Sequence, residues 1–97
     1  MFGIVSQLRR SAASVPANIV EGQSKNFTKE YLQFLYNSRA SLEETRYHLL
    51  LAKDLGYLNL NDYEFLENQY GEVSRMLNSL IKGLKDKGLK KMRDKRP

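Results

Sequence analysis

The chain has no cysteine, no tryptophan, two prolines and one histidine in 97 residues. Without cysteine it can form neither a disulfide framework nor a thiolate metal site. That absence fits a reducing compartment. No apolar run approaches the roughly 20 residues that a membrane-spanning helix needs. Met1 to Arg10 also lacks the charged region followed by an apolar run that marks a signal peptide. A cytoplasmic protein is the expectation. No useful stretch of period-two alternation exists, so strands are not expected. Glycine-rich phosphate loops are missing too: Gly22 and Gly56 are isolated and read as turns.

A chain of this length makes one domain. It buries a smaller fraction of its surface than a larger chain does and gains from a partner. Its net charge of +5 is unevenly spread. Residues 82–97 hold eight basic and two acidic side chains, whereas residues 1–81 hold eight and nine. The basicity therefore belongs to the C-terminal end. Two readings of that end stand: a segment that binds nucleic acid or acidic surfaces, and a solvated end that only aids solubility.

Three segments carry helical periodicity. In the last, Asn61 and Glu64 form a capping-box-like start, with Asp62 in the first turn. Leu66, Tyr70, Val73, Leu77, Leu80 and Leu84 then alternate by four and three, a heptad-like seam for packing at a shallow angle. Gly71 and Gly83 weaken this helix locally, and Gly88 among the lysines suggests fraying beyond Gly83. The middle segment runs from Thr28, a plausible N-cap, to about Leu55, where Gly56 stops it. Its seam is Tyr31, Leu35, Ser38, Leu42, Thr45, Leu49 and Ala52; Ser38 is small enough to let another helix approach closely. Phe34, Leu50 and Leu51 widen the apolar surface, which implies more than one neighbour. The first segment, Phe2 to Glu21, repeats Ile4, Leu8, Ala12, Val15 and Ile19. Pro16 removes one backbone hydrogen bond, so a kink or local break is expected near Ala12–Ser14.

Little chemistry is available. A catalytic site needs a nucleophile, a base and a group to orient it, and His48 is the single histidine. It lies four residues after Glu44, but one histidine and one carboxylate fall short of a closed metal site. A surface histidine bonded to Glu44 is the expectation, with no metal and no cofactor. Glu43 and Glu44 are adjacent, point in different directions and make no acid–base pair. Of the aromatics, Tyr31, Phe34 and Tyr70 fall on or beside the seams, whereas Tyr47 and Tyr57 are candidates for exposure and base stacking. Arg9 and Arg10 are adjacent, so one is expected to face the core and the other solvent. A buried one needs a carboxylate such as Glu21 or Glu44, and an exposed one brings charge to a phosphate backbone.

The run from Gln7 to Gly22, QLRRSAASVPANIVEG, resembles the signature of the four-helix-bundle proteins encoded in 23S ribosomal RNA intervening sequences, also called S23 ribosomal proteins. The blocks Tyr31–Tyr36, Arg39–Leu42 with Glu44, Leu49–Lys53 and Leu55–Leu58 follow in matching order and spacing, so the resemblance covers roughly residues 3 to 84. It implies a four-helix up-and-down subunit that assembles into a ring of five, with no established enzymatic activity. A related branch, the accessory variability protein of diversity-generating retroelements, partners a reverse transcriptase and binds nucleic acid through basic surfaces. The matching polar positions, Arg9, Arg10, Asn18, Glu21, Arg39 and Glu44, are implied to be structural. The family pattern places a further helix ahead of Gly3, and this sequence starts at Met1. Either the natural start lies upstream or this version has three helices, and without the further helix apolar faces stay open, at about 1.5–3 kcal/mol of forgone burial for each large side chain. It is then expected to self-associate or to take up a partner's helix.

The sequence thus reads as an all-α, up-and-down antiparallel helical bundle over 1–84, kinked at Pro16, with a basic, flexible tail over 85–97. The function expected is non-enzymatic: a homo-oligomer that binds RNA or DNA electrostatically with little sequence preference. Its candidate contacts are Arg9, Arg10, Lys25, Lys82, Lys85, Lys87, Lys90, Lys91 and Arg93. Deleting residues 85–97 is expected to abolish most binding and leave helicity intact. The alternative is an interaction scaffold that docks a partner, such as a reverse transcriptase or a ribosome-associated protein, without touching nucleic acid. No membrane and no small-molecule substrate enter either reading.

Overall fold

The computed structural model describes residues 2–94, with side chains over residues 3–88. It contains three helices, α1 (Phe2–Gln23), α2 (Thr28–Asp54) and α3 (Leu60–Asp94), and no strand among the described residues. Residues 24–27 and 55–59 join them, connections short enough to make successive helices antiparallel. The central helix, α2, packs on both others, while the backbones of α1 and α3 stay apart. The result is elongated, 61 × 21 × 14 Å with a radius of gyration of 16.6 Å. A compact chain of this size would have about 13 Å.

The core lies where side chains of the three helices meet: Val15 from α1, Leu35 and Leu42 from α2, Leu77 and Ile81 from α3. Ile19, Tyr31, Tyr70, Val73 and Leu84 pack around it. In α3 the expected seam slips after Leu77. Leu80 is 38% exposed, and Ile81, at 3%, takes its place. The observed steps from Leu66 to Leu84 are four, three, four, four and three, which follow the 3.6-residue turn of a straight helix. A strict heptad of 3.5 drifts off the contact line by about 20° per repeat.

The helix ends also differ from the sequence expectation. Phe27, in extended conformation and without a side-chain cap, precedes α2, so Thr28 is its first residue and not its cap. At the other end Gly56 adopts φ 82°, a left-handed conformation that suits glycine. Its N–H donates to the Lys53 carbonyl at 3.0 Å and the Tyr57 N–H donates to that of Ala52 at 2.9 Å, a Schellman closure. The cap of α3 is Asn59, two residues ahead of the expected Asn61. Asn59 Oδ1 accepts the Asp62 N–H at 2.8 Å, and Asn59 Nδ2 donates to the Asp62 carboxylate at 3.0 Å. Both asparagines precede an acidic residue by three. The earlier one gives α3 two more residues of hydrogen-bonded backbone.

Two features of α1 depart from expectation in the same region. The helix runs unbroken through Pro16, without the local break expected near Ala12–Ser14. Side chains bond the carbonyls beside the proline. Asn18 Nδ2 donates to the Ser14 carbonyl at 2.8 Å, and Ser38 Oγ of α2 donates to that of Val15 at 2.8 Å. Gly22 is not a turn but a buried position in the last turn of α1. A Cβ there would stand 2.8 Å from Tyr31 Cδ1 and 3.0 Å from Phe34 Cβ, so the missing side chain is what lets α2 start so close. The C-terminal helix, finally, continues through Gly83 and Gly88 to Asp94, beyond the point where its pattern suggested fraying.

Candidate nucleic-acid interface

Antiparallel pairing sets the charge distribution. The C-terminal half of α3 runs back along the first half of α2, as shown by Lys85 Nζ lying 5.4 Å from the Tyr36 ring centroid. Lys82, Lys85 and Lys87 are exposed along this stretch. Lys90, Lys91 and Arg93 continue the same helix, their side chains outside the described ones, and Lys95 and Arg96 lie outside the described residues. The fold therefore brings the basic end of α3 to the same pole as Lys25 and Lys29 of the α1–α2 connection and the start of α2. The opposite pole is acidic: residues 43–72 hold seven acidic and two basic side chains. A polyanion would be drawn to the first pole and repelled by the second.

The other candidate cations are placed differently. Arg9 and Arg10 are both exposed on the middle of α1, so neither enters the core and neither needs the carboxylates suggested for it. Glu21 instead pairs with Lys25 at 3.1 Å, and Glu44 faces His48. Arg10 borders a polar groove of about 300 Å³ with Gln7, Ser11, Ser14, Ser41 and Glu44. Lys25 is doubly engaged, by Glu21 and by the face of Phe34 at 5.2 Å. Its charge is therefore largely compensated where it stands.

Sequence reasoning missed one group at this pole as a site. The family resemblance implies a structural role for Arg39, and the sequence assigns Tyr36 no role. The Arg39 guanidinium lies 5.1 Å from the Tyr36 centroid and its Nη1 donates to Asn78 Oδ1 at 3.1 Å. With Lys85 on the same ring, two cations from two helices share one aromatic. The only signal in the sequence would have been the helical stripe Arg75, Asn78, Lys82, Lys85, spaced by three, four and three.

At the acidic pole, Glu67 Oε1 accepts from Arg46 Nε at 2.9 Å and also from Nη2. This hydrogen bonding holds the Arg46 guanidinium above its ordinary pKa, since the charged form is the one that donates. The pair ties α2 to α3 and leaves Arg46 unavailable to an outside anion.

His48 is buried, not at the surface as expected; it follows Ser41, which bonds Ser14 of α1, by seven residues and so shares its helix face. Its Nε2 is 3.4 Å from Glu44 Oε1, and its Nδ1 has no partner among the described residues. Among the described residues no hydroxyl bonds to it, so the serines and His48 do not form a relay. Ser41 Oγ donates to Ser14 Oγ at 2.8 Å, and Thr45 Oγ1 to the Ser41 carbonyl at 2.8 Å, which makes these hydroxyls helix-to-helix and local bonds. Among the described residues no three His, Cys, Asp or Glu side chains stand close enough to hold a metal ion, and no helix is long and apolar enough to cross a membrane. Of the aromatics, Tyr47 and Tyr57 are exposed as the pattern suggested; Phe27 and Phe65 are exposed as well.

No curated protein matches the chain. Among solved structures, it is similar to a protein of unknown function from the S23 ribosomal protein family of Bacteroides thetaiotaomicron, with a TM-score of 0.82 and 29% identity. That likeness covers 84% of this chain and 76% of the other. The family described as 23S rRNA-intervening sequence protein matches residues 1–79, which stops short of the basic stretch from Lys82 onward. A match over most of the chain, joined by a close likeness in fold to an S23 relative, means that this chain belongs to the 23S rRNA-intervening sequence protein family.

Proposed function

We propose that this chain is a non-enzymatic accessory protein that works as a homo-oligomer in the cytoplasm and binds RNA or DNA through phosphate contacts, with little sequence preference. The observation that carries the reading is the charge polarity: Lys82, Lys85 and Lys87 exposed on the lysine-rich C-terminal half of α3, folded back beside the α1–α2 connection, opposite an acidic pole. Backbone neutralisation needs only positive charge within reach, so affinity falls steeply with salt. The family's description, which refers to an intervening sequence of 23S ribosomal RNA, suits an RNA-associated role.

Because residues 85–94 are helical, deleting the C-terminal end would remove helix as well as charge. Changing Lys87, Lys90, Lys91 and Arg93 together to glutamine separates the two. That variant is expected to keep its far-UV circular dichroism and to bind a labelled 20-mer RNA at least tenfold more weakly in 100 mM salt. Unchanged affinity would remove this end from the mechanism.

Self-association is supported by large apolar side chains left open on the helices that flank α2. Val20 is exposed on α1, and Phe65, Met76 and Leu80 are exposed on α3. We propose that a fourth helix or neighbouring subunits cover them, in the ring of five that the family resemblance implies. Light scattering on a size-exclusion column should then give a mass of several subunits, and a monomer at all concentrations would rule the oligomer out. The same exposed residues favour a second reading, a scaffold that docks another protein's helix without nucleic-acid contact. Heparin would displace a nucleic-acid ligand and leave a scaffold's partner in place.

A further inference from the structure

The cluster around Tyr36 has a geometry that the diffuse charge of the α3 end lacks. Two cations are held against one ring, Arg39 at 5.1 Å and Lys85 at 5.4 Å from its centroid, so they stand no farther apart than the sum of those distances. Tyr36 is half-buried and packs against the core. The relative position of its two helices is set by Leu35, Leu42, Leu77 and Ile81 beneath. The cations are thus ordered by the fold before any ligand arrives, which lowers the entropy lost on binding.

Neither cation is neutralised. Among the described residues, no carboxylate pairs with Arg39, Lys82 or Lys85. Glu43, one turn from Arg39, is 4.0 Å from Arg46 instead. Among the described residues, Arg39 makes one hydrogen bond, through Nη1 to the neutral amide of Asn78. Its Nε and Nη2 edge is left to present two parallel N–H groups, the arrangement that grips a phosphate in bidentate fashion. Lys82, exposed one turn before Lys85, extends the charge along α3.

We propose that Arg39, Lys85 and Lys82, positioned by Tyr36 and Asn78, form a phosphate-binding anchor for a nucleic-acid backbone on the α2–α3 face. This assignment rests on the nucleic-acid reading above and adds a defined contact to it. Arg39 takes one phosphate through its fork, and the two lysines neutralise the same or the next phosphate along the strand. Tyr36 and Asn78 are positioning residues that hold the Arg39 guanidinium in place.

The molecule contains its own control. Lys53 lies over Tyr63 at 4.8 Å, the same lysine–tyrosine stack, but beside Asp54 at the acidic pole. The test is fluorescence anisotropy of the full chain with a labelled 20-mer RNA, single-stranded and as a duplex, at several salt concentrations. Arg39→Gln and Lys85→Gln are each expected to weaken binding about threefold to tenfold and to reduce the salt slope by about 0.7–0.9, one phosphate contact each. Arg39→Lys should recover only part of the loss, since it restores charge without the fork. Lys53→Gln should bind like the unmodified chain. If Arg39→Gln and Lys85→Gln bind normally while neutralising residues 87–93 abolishes binding, the anchor is refuted and the broader reading survives. If Lys53→Gln weakens binding equally, net charge and not this cluster is responsible, which also refutes it. An unmodified chain that ignores RNA at every salt concentration would overturn both.

Discussion

Replacing Leu42 with alanine is expected to destabilise the fold by about 3 kcal/mol, within the usual 2–5 kcal/mol for a buried leucine. Leu42 has no exposed surface and sits where all three helices meet, with Val15 of α1 on one side and Leu77 and Ile81 of α3 on the other. The loss combines the transfer free energy of the deleted carbons with the cavity left behind. The cavity term should be substantial, because closing it would require long helices to shift together against contacts along their whole length. A chain of this size has on the order of 5–15 kcal/mol of total stability. One substitution therefore removes a fifth or more of it and lowers the melting temperature by roughly 10–20 °C. Urea unfolding followed by circular dichroism, at matched protomer concentration, measures the change. Leu80→Ala on the exposed neighbouring face should cost well under 1 kcal/mol in the isolated subunit. A Leu42→Ala loss no larger than that would mean that the three-helix core is wrong.

Enlarging Ser38 to leucine is the second large effect, expected at about 2–4 kcal/mol from overpacking plus the lost hydrogen bond. Ser38 is fully buried and its hydroxyl donates to the Val15 carbonyl at 2.8 Å, so the backbone of α1 lies directly against it. A leucine there must push α1 away from α2 and would pull apart the neighbouring Ser41–Ser14 bond, 2.8 Å long. Ser38→Ala separates the two contributions: it removes the bond but adds no bulk and should cost about 1 kcal/mol. Equal losses from the two variants would show that the hydroxyl matters and the close approach does not.

Much of this architecture was legible in the sequence. The spacing of Leu35, Leu42, Leu49 and Ala52 gave the buried face of α2, and Ser38 marked where a neighbouring helix comes close. These are local consequences of the 3.6-residue turn. The sequence is ambiguous where two local solutions compete. Asn59 and Asn61 offer equivalent caps, and Leu80 and Ile81 both adjoin the seam; the earlier cap adds hydrogen-bonded backbone to α3, and Ile81 is the residue that joins the core. His48 is ambiguous for a similar reason. It lies at the margin of the α2 face, and packing between helices decides whether that margin is covered.

The candidate site divides in the same way. A basic C-terminal end is a matter of composition and needs no fold to be read. The anchor at Tyr36 needs the fold, because Arg39 and Lys85 lie on different helices and meet only when α3 turns back along α2. By itself, then, the sequence determined the helices, their apolar faces and the excess charge, since each depends on neighbours within a few turns. The tertiary structure alone decided which cations of different helices stand together, that Glu67 of α3 engages Arg46 of α2, and that His48 is buried. Those outcomes depend on distances across helices, and packing of the core sets such distances.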